Sequence, residues 1–465
     1  MQISQQSSES MSTARFSRAR SLQNIETSDN FDQKIHDRRT LLDGSSTITE
    51  PTATQRSASG GAFVQQGSPE HHGVSDACRH FGYSRYIQVK SLKDFTAWGH
   101  KAQPGDMIEL TAGTYTWGDG KTNPFNPGQG YDVNNGDSGG HKDAPTMATD
   151  GTIFKVSGTT ELPIVFCGDQ QKTIIDGADS EKYWTYGVRI VQASNIRFSG
   201  FTLRNALKGL DIQGTTNSKF SYITTYNTLQ EGIRIRYNSQ WNTVYSSHVM
   251  STGLLYVGVG EGVYIGTSHK NSIDDGLPSD HSDHNTIRDS VFGPGVTAES
   301  IDVKEFTSFG NIINNTFDGG DLSGQNGAQS CIVIKGNKWS AVNNTCSNLR
   351  SGFVGYRITL QAPGQGSFNT VNDNTCQDAQ SGSFCVYMDP GVRGNKIGCA
   401  NHLSSSSRQD GIQGKLCNCQ PAQCAKKRRR DVVLGGSSTP FKVVGPSYTV
   451  PSIGSAEEDP RPSWD

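Results

Sequence analysis

Short triplets with the alternation of a β-strand recur along the chain, in which two apolar residues flank a third that is usually polar. They begin at Val188, Leu210, Ile233, Val263, Ile301, Ile332, Ile358 and Val386. A second phrase of the type Asn-x-apolar follows in most copies, at Asn195, Asn217, Asn242, Asn285, Asn311, Ser340, Asn369 and Asn395. Successive second phrases are 22, 25, 43, 26, 29, 29 and 26 residues apart. A period in the twenties, built of short strands without helical spacing, predicts an all-β chain folded as a right-handed parallel β-helix.

The alternation also predicts which side chains leave the core. Ile301 and Val303 face inward, so Asp302 and Lys304 face outward, because successive strand side chains point to opposite faces. Neighbouring coils, about 4.8 Å apart, extend this outward column into a belt. The belt comprises Arg234, Arg236, Asp302, Lys304 and Lys335, and Tyr264 stands in the same column. It suits an extended anionic ligand, or it is solvated surface in which Asp302 and Lys304 form an exposed ion pair worth about 0.5 kcal/mol.

The 43-residue spacing marks an insertion beside this belt, "GTSHKNSIDDGLPSDHSDH" at residues 266–284. Its acidic and histidine residues are His269, Asp274, Asp275, Asp280, His281, Asp283 and His284. A polar loop next to a charged column is how solenoid proteins build binding sites, although a solvated loop has the same composition. The spacing of these residues matches no EF-hand or zinc motif.

The ends of the chain differ in composition from the repeats. Residues 1–75 are rich in Ser, Thr, Gln and Arg and are predicted to be disordered. Residues 76–425 form the β-helix domain, with a cap at 86–116 and coils at about 150–400; residues 426–465 form a basic, disordered tail. Within the cap, Leu92, Phe95 and Trp98 have helical spacing, and Ile108 and Leu110 alternate as in a strand.

Charge and cysteine usage limit the partners and the compartment. The 42 basic and 44 acidic residues leave a net charge of -2, which favours neither nucleic acid nor an anionic membrane. No apolar run has the length of a signal peptide or of a membrane span. The ten cysteines nevertheless favour disulfides, and hence an extracellular or cell-wall location. Cys346 and Cys376 are predicted to lie one coil apart and to form a bridge. A monomer is expected.

Two stretches, "GEGVYIG" and "GPGVTAESIDVKEFTSFGNIINNTFDG", resemble the pectin-lyase-fold β-helix proteins, and in particular the chondroitinase B and alginate lyase group. The resemblance implies a polysaccharide lyase in which Lys304 is the base, Lys335 stands where an arginine is expected, and Glu299 binds Ca²⁺. Thr297 replaces the second acid of that pattern. The implied partner is an acidic polysaccharide.

The residues themselves are consistent with β-elimination at a uronic acid, which needs a base for a weakly acidic C–H and cations that neutralise the neighbouring carboxylate. The predicted catalytic residues are Lys304, Lys335 and Asp302; the substrate ligands are Arg234, Arg236 and Tyr264; and the metal ligands are Glu299 and Asp302. The surrounding cations are expected to lower the pKa of Lys304, and Asp302 to oppose them. Two alternatives are a non-catalytic glycan-binding or adhesin-like solenoid and a pectin-type hydrolase that uses Asp274 and Asp275.

Overall fold

The computed structural model describes residues 74–116, 152–177, 186–270, 278–398 and 400–403, all of which belong to one unit, Met1–Cys417. The predicted tail 426–465 and nearly all of the predicted disordered segment 1–75 lie outside the described residues, as do Asp274 and Asp275.

The described chain consists almost entirely of short strands. One helix, α1 (Leu92–Trp98), follows the first strand. The strands of the N-terminal half are β1 (Arg85–Val89), β2 (Asp106–Leu110), β3 (Gly113–Thr116), β4 (Thr152–Phe154), β5 (Ile164–Cys167), β6 (Thr173–Asp176), β7 (Val188–Val191), β8 (Ile196–Ala206), β9 (Leu210–Gln213), β10 (Lys219–Thr228), β11 (Ile233–Arg236), β12 (Thr243–Tyr245), β13 (His248–Val249) and β14 (Val263–Ile265). The remaining strands are β15 (Thr286–Arg288), β16 (Val291–Phe292), β17 (Ile301–Val303), β18 (Asn311–Ile313), β19 (Thr316–Asp318), β20 (Ser330–Ile334), β21 (Ser340–Val342), β22 (Thr345–Ser347), β23 (Val354–Ile358), β24 (Thr370–Asn372), β25 (Thr375–Gln377), β26 (Phe384–Met388), β27 (Lys396–Ile397) and β28 (His402–Leu403).

The strands pair in parallel in three rows. The first row is β1, β2, β5, β8, β10, β12, β15, β18, β21, β24 and β27. The second is β3, β6, β8, β10, β13, β16, β19, β22, β25 and β28, since the long strands β8 and β10 take part in both. The third row is β4, β7, β9, β11, β14, β17, β20, β23 and β26. After each coil the chain therefore comes back to the same row and pairs with the strand of the preceding coil. This arrangement is the predicted parallel β-helix.

The cap of the solenoid agrees with the sequence prediction. Ser91 begins the helix, because its hydroxyl accepts a hydrogen bond from the Asp94 amide at 3.0 Å. Phe95 is fully buried, and its ring lies 5.3 Å from that of Phe154 and 5.7 Å from that of Phe166. The helix thus covers the apolar end of the first coils, which would otherwise face water.

The inward positions of the third row are those that the triplets predict. Ile233, Val263, Ile301 and Ile332 are register partners in successive coils. These four and the other predicted inward residues, Ile235, Val303 and Ile334, are buried. Removal of one such side chain from water stabilises the fold by about 1.5–3 kcal/mol, so the stack is a main source of stability.

One triplet is displaced by two residues from its predicted position. The partners of Ile332 and Ile334 are Tyr356 and Ile358, not Ile358 and Leu360. Tyr356 takes the inward position because its hydroxyl finds acceptors inside the coil, the carbonyl oxygens of Asn344 at 2.8 Å and Thr375 at 3.0 Å. A pattern that seeks apolar residues alone misses this position.

The predicted Cys346–Cys376 bridge is wrong. The two residues are register partners, as expected, but the disulfides join Cys331 to Cys346, Cys376 to Cys385 and Cys78 to Cys167. Register partners in a parallel stack point the same way about 4.8 Å apart, whereas a disulfide brings the two Cβ atoms to about 3.5–4.5 Å. Partners outside the column meet this requirement better.

Among the described residues, no helix has the length and apolar character to cross a membrane.

Candidate active site

The outward column predicted from the triplets exists in the third row. Arg234, Tyr264 and Asp302 are register partners in β11, β14 and β17. Lys304 follows directly after β17, and Lys335 follows β20 in the next coil. The column is not a solvated surface, however, because the side chain of Asp302 is 1% exposed and those of Lys304 and Lys335 are 12% and 13% exposed. The alternative of an exposed ion pair is therefore wrong.

The two lysines converge on one carboxylate oxygen. Lys304 Nζ lies 2.5 Å and Lys335 Nζ 2.8 Å from Asp302 Oδ2. The other oxygen, Asp302 Oδ1, is buried without a hydrogen-bond partner among the described residues. Burial raises the pKa of Asp302, but the two ammonium groups outweigh it and hold that pKa below its usual range. Asp302 is therefore a buried anion that binds both cations.

The pKa of Lys304 shifts in the direction opposite to the predicted one. Burial lowers the pKa, but the charge of Asp302, followed by Tyr264 and Glu261, raises it well above the ordinary lysine value. The expected lowering by Lys335 and the arginines does not occur, because a direct contact with a buried carboxylate is stronger than more distant cations. Lys304 is accordingly charged in this state of the protein.

A third carboxylate, that of Glu261, lies at the site. It belongs to the Tyr264 coil, for which the sequence predicted no metal ligand. Glu261, Glu299 and Asp302 each offer an oxygen, and these atoms all lie within 4.8 Å of one another. All three residues are buried, and Glu261 Oε2 has no hydrogen-bond partner among the described residues. This acidic triad contains both predicted metal ligands, Glu299 and Asp302.

Crowding of buried carboxylates affects their protonation. Burial, with the charge of Glu231 second, raises the pKa of Glu261 well above its ordinary value. Burial, followed by the charge of Asp302, raises the pKa of Glu299 to about 7. A proton or another cation in the triad relieves the repulsion, because like charges disfavour the ionised form.

A signal for Glu261 was present in the sequence. Val263 pairs with Ile301, so Glu261 and Glu299, each two residues earlier, occupy the same position of successive coils. Glu231 stands two residues before Ile233 and continues this column. Glu231 does not add a free carboxylate, since it forms a buried ion pair with Lys208.

Tyr264 lies where the prediction placed it, beside the lysine. Lys304 Nζ is 4.4 Å from the centre of its ring, a cation–π distance. The Tyr264 hydroxyl accepts a hydrogen bond from the backbone amide of Ser268 at 3.3 Å, in the inserted segment. The ring and the insertion thus bound the site on one side.

The two predicted arginine ligands are buried and do not form an exposed belt with the lysines. Arg234 binds Asp211, with its Nε 2.8 Å from Oδ1, and Arg189 binds the other oxygen at 3.1 Å. Arg236 is fully buried and donates from its Nε to Thr267 Oγ1 at 3.0 Å. Their predicted role in substrate binding remains a prediction.

Two loops that precede strands of the third row are joined by hydrogen bonds. The 3₁₀ turn Val257–Val259 precedes Glu261 and contacts a second turn, Gln325–Gly327, two coils on. Asn326 Nδ2 donates to the Gly258 carbonyl oxygen at 3.1 Å, and the Ser323 hydroxyl donates to the Val257 carbonyl oxygen at 3.0 Å. The loops therefore brace one another beside the acidic triad.

The described part of the insertion has a structural task. Asp280 accepts hydrogen bonds from the amides of Tyr237 at 2.8 Å and Asn238 at 2.9 Å, and from the Thr267 hydroxyl at 2.7 Å. His269 donates its backbone amide to Glu305 Oε2 at 3.2 Å. These bonds fasten the insertion to the strands on both sides of the Tyr264 coil.

No protein-family model matches the sequence, and no curated protein is similar to it in sequence. Solved structures do match. The crystal structure of an alginate lyase from Paenibacillus sp. str. FPU-7 has a TM-score of 0.55 and 24% sequence identity, over 69% of this chain and 97% of that one. Pectate lyase Pel9A has a TM-score of 0.45 and 16% identity, over 71% and 80% of the two chains. PfbA, a surface adhesin of Streptococcus pneumoniae, has a TM-score of 0.44 and 11% identity, over 68% and 74%.

The comparisons agree with the strand pairing. At 24% identity the likeness to the alginate lyase structure shows the fold. The protein is thus a parallel β-helix with the architecture that the alginate lyase from Paenibacillus also has.

Proposed function

We propose that this protein is a polysaccharide lyase that cleaves a uronic-acid-containing polysaccharide by β-elimination. The observation that carries the proposal is the convergence of Lys304 and Lys335 on the buried carboxylate of Asp302, next to the acidic triad. Buried ionisable groups whose pKa values are shifted by specific charge partners are typical of functional sites.

In β-elimination a base removes the proton next to the uronate carboxylate, the neighbouring C–O bond to the next sugar breaks, and a carbon–carbon double bond forms. The departing oxygen takes up a proton. Lys304 is the proposed base, and Lys335 the proposed cation that neutralises the substrate carboxylate. Asp302 positions both lysines. Lys304 has to give up its proton first, which requires that Asp302 be engaged by another cation.

The acidic triad is the proposed site for that cation, and Ca²⁺ fits its chemistry. Ca²⁺ prefers oxygen ligands, and Asp302 Oδ1 and Glu261 Oε2 are buried without partners among the described residues. Glu261, Glu299 and Asp302 would hold the ion. When bound, it would help to neutralise the carboxylate of the sugar.

One feature of the site favours the glycan-binding alternative. Asp302 already binds both lysines, so neither Lys304 nor Lys335 is available as a base in the described structure. A solenoid that binds an acidic polysaccharide without cleaving it needs no base. The disulfides support an extracellular location for either function, since such bonds persist in oxidising compartments.

The deciding experiment is an activity screen on the full chain. Pectate, alginate, glucuronan and dermatan are each incubated with the protein, with and without Ca²⁺, and the ultraviolet absorbance of the new double bond is followed. We expect an increase with at least one of them. Binding without any increase in absorbance leaves the glycan-binding function in its place.

A further inference from the structure

A column of large side chains lies at the turn that connects the third row to the first. The register of the first row joins Thr243, Thr286, Asn311, Ser340 and Thr370 in successive coils. The residues two positions earlier therefore also form a column. They are Trp241, His284, Phe309, Lys338 and Phe368, here named the aromatic column.

The rings of this column are stacked but exposed. The Trp241 and His284 rings lie 3.7 Å apart at an interplanar angle of 5°, and those of His284 and Phe309 lie 5.0 Å apart at 6°. Lys338 Nζ is 4.5 Å from the centre of the Phe309 ring. Trp241, Phe309 and Phe368 are 55%, 45% and 61% exposed, which is unusual for residues of this size. The column therefore presents exposed aromatic rings to solvent, with a cation next to Phe309.

The backbone at this column is of the kind that small residues prefer. Trp241, Phe309 and Phe368 have φ angles of 59°, 61° and 61°, in the left-handed region. Asn195 and Asn217 take the same turn in the earlier coils, with φ angles of 54° and 53°. A left-handed backbone costs about 1–2 kcal/mol for most residues and less for asparagine. Large exposed aromatic residues there weaken the fold locally, a feature that is common at functional sites.

We propose that the aromatic column binds an extended acidic polysaccharide along the axis of the solenoid. Apolar ring surface packs against the C–H groups of sugars, and Lys338 attracts their carboxylates. From Trp241 to Phe368 the column rises four coils, or about 19 Å at about 4.8 Å per coil, a length that suits several sugar units. Only the choice of an acidic ligand rests on the proposed function.

The place of the column also suits a polymer that enters the active site. Phe309 follows Lys304 by five residues, in the same turn out of the third row. The column therefore runs beside the outward face that carries the lysines. It is one residue wide, whereas a stable protein interface covers about 800 Å² per partner, so a sugar chain is the better occupant.

The test is a triple variant, Trp241→Asn, Phe309→Asn and Phe368→Asn, because asparagine accepts the left-handed backbone. Leu162→Asn, at an exposed leucine outside the column, is the matched control. The probes are alginate and polygalacturonate in native gels, with dextran as the neutral polymer. We expect the acidic polymers to retard the parent and the control, and to bind the triple variant at least about tenfold more weakly. The variant should unfold at the same temperature as the parent or higher.

Two results overturn the inference. In the first, the acidic polymers fail to retard the parent. In the second, they retard the triple variant as much as the parent. If the triple variant then also unfolds at a lower temperature than the parent, the column serves to stabilise the fold. Lys304→Ala separates this inference from the proposed function, since it should lower turnover by a factor on the order of 10²–10⁴, whereas the triple substitution should weaken retardation by the same factor with or without Lys304. If the parent binds the acidic polymers through the column and cleaves none of them, the lyase proposal is refuted and the binding column is not. If the parent cleaves a polymer and the triple variant has the same KM for it, the binding column is refuted and the lyase proposal is not.

Discussion

Lys304 Nζ lies 2.5 Å from Asp302 Oδ2, and the pair is buried against the face of the solenoid. We expect Asp302→Asn to destabilise the protein by about 3 kcal/mol or more, because it leaves two buried ammonium groups without their anion. Lys304→Met should cost less, about 1–2 kcal/mol, because Lys335 still neutralises Asp302. Urea unfolding at neutral pH measures both.

The order of these two variants is the informative result. If Asp302→Asn and Lys304→Met each lowered the free energy of unfolding by less than about 0.5 kcal/mol, the pair would behave as an exposed ion pair. Such a result would contradict the buried arrangement. Lys172→Met provides the control, since Lys172 forms a surface ion pair with Asp169 and its side chain is 68% exposed.

Glu299 makes stability depend on pH. Its pKa is about 7 in the folded protein, above its ordinary value of 4.5, so between these values the folded state binds the proton that the unfolded state has lost. Its contribution to stability is therefore present at low pH and is lost as pH rises to about 7. Glu299→Gln removes this dependence.

We expect the difference in free energy of unfolding, Glu299→Gln minus parent, to increase by up to about 3 kcal/mol as the pH rises from about 4.5 to 7. Urea titrations at pH 5 and pH 8, without added metal, give the difference. A constant difference between the two pH values would show that Glu299 titrates normally. Glu161→Gln, at an exposed glutamate, should leave the pH dependence of the parent unchanged.

Ca²⁺ should stabilise the protein through the acidic triad. A ligand that binds only the folded state raises the unfolding temperature, and does so further as its concentration increases. We expect this increase for the parent and for Glu161→Gln, and a much smaller one for Glu261→Gln, which lacks one ligand. Calorimetry over a calcium series, with Mg²⁺ for comparison, measures it. Equal increases for the parent and Glu261→Gln would place the ion elsewhere.

Alternation along each strand was enough to predict the fold and the outward position of Asp302. The inward residues Ile301 and Val303 repeat with the period of two that a half-buried strand imposes, and the same pattern recurs in the coils from Val188 onward, with the one displacement at Tyr356. Burial of the site could not be predicted in this way. It depends on contacts between side chains of different coils, such as Lys335 with Asp302 and Lys304 with the Tyr264 ring, which alternation within one strand does not report.

A mixed register explains why the aromatic column could not be predicted. In the first row, Lys219, Thr243 and Asn311 occupy the same register position. Asn217 stands two residues before that position, Asn242 stands one residue before it, and Asn311 stands at it. The asparagine phrase therefore combined three neighbouring positions. The aromatic column was hidden by this mixture. Glu261 was missed for a different reason, because the triplets align Val263 with Ile301 correctly but Glu261 lies two residues before its triplet, outside the positions to which the alternation applies.

The decisive prediction concerns Lys304 as the base. Loss of a general base costs on the order of 10²–10⁴ in turnover, and the substrate contacts made by other residues remain. We expect Lys304→Ala to lower kcat by that factor on whichever polyuronide the parent cleaves, with little change in KM. The exposed Lys172→Ala variant should behave as the parent does.

Stability has to be measured on the same preparation, since Lys304 is buried and its loss affects folding as well as chemistry. A variant that remains folded at the assay temperature and has lost turnover supports the base. Full turnover in Lys304→Ala would assign the lysine to the positioning of Asp302 alone. In that case Tyr264, whose ring faces the same ammonium group at 4.4 Å, becomes the next residue to replace, because a tyrosine that has lost its hydroxyl proton can also act as a base.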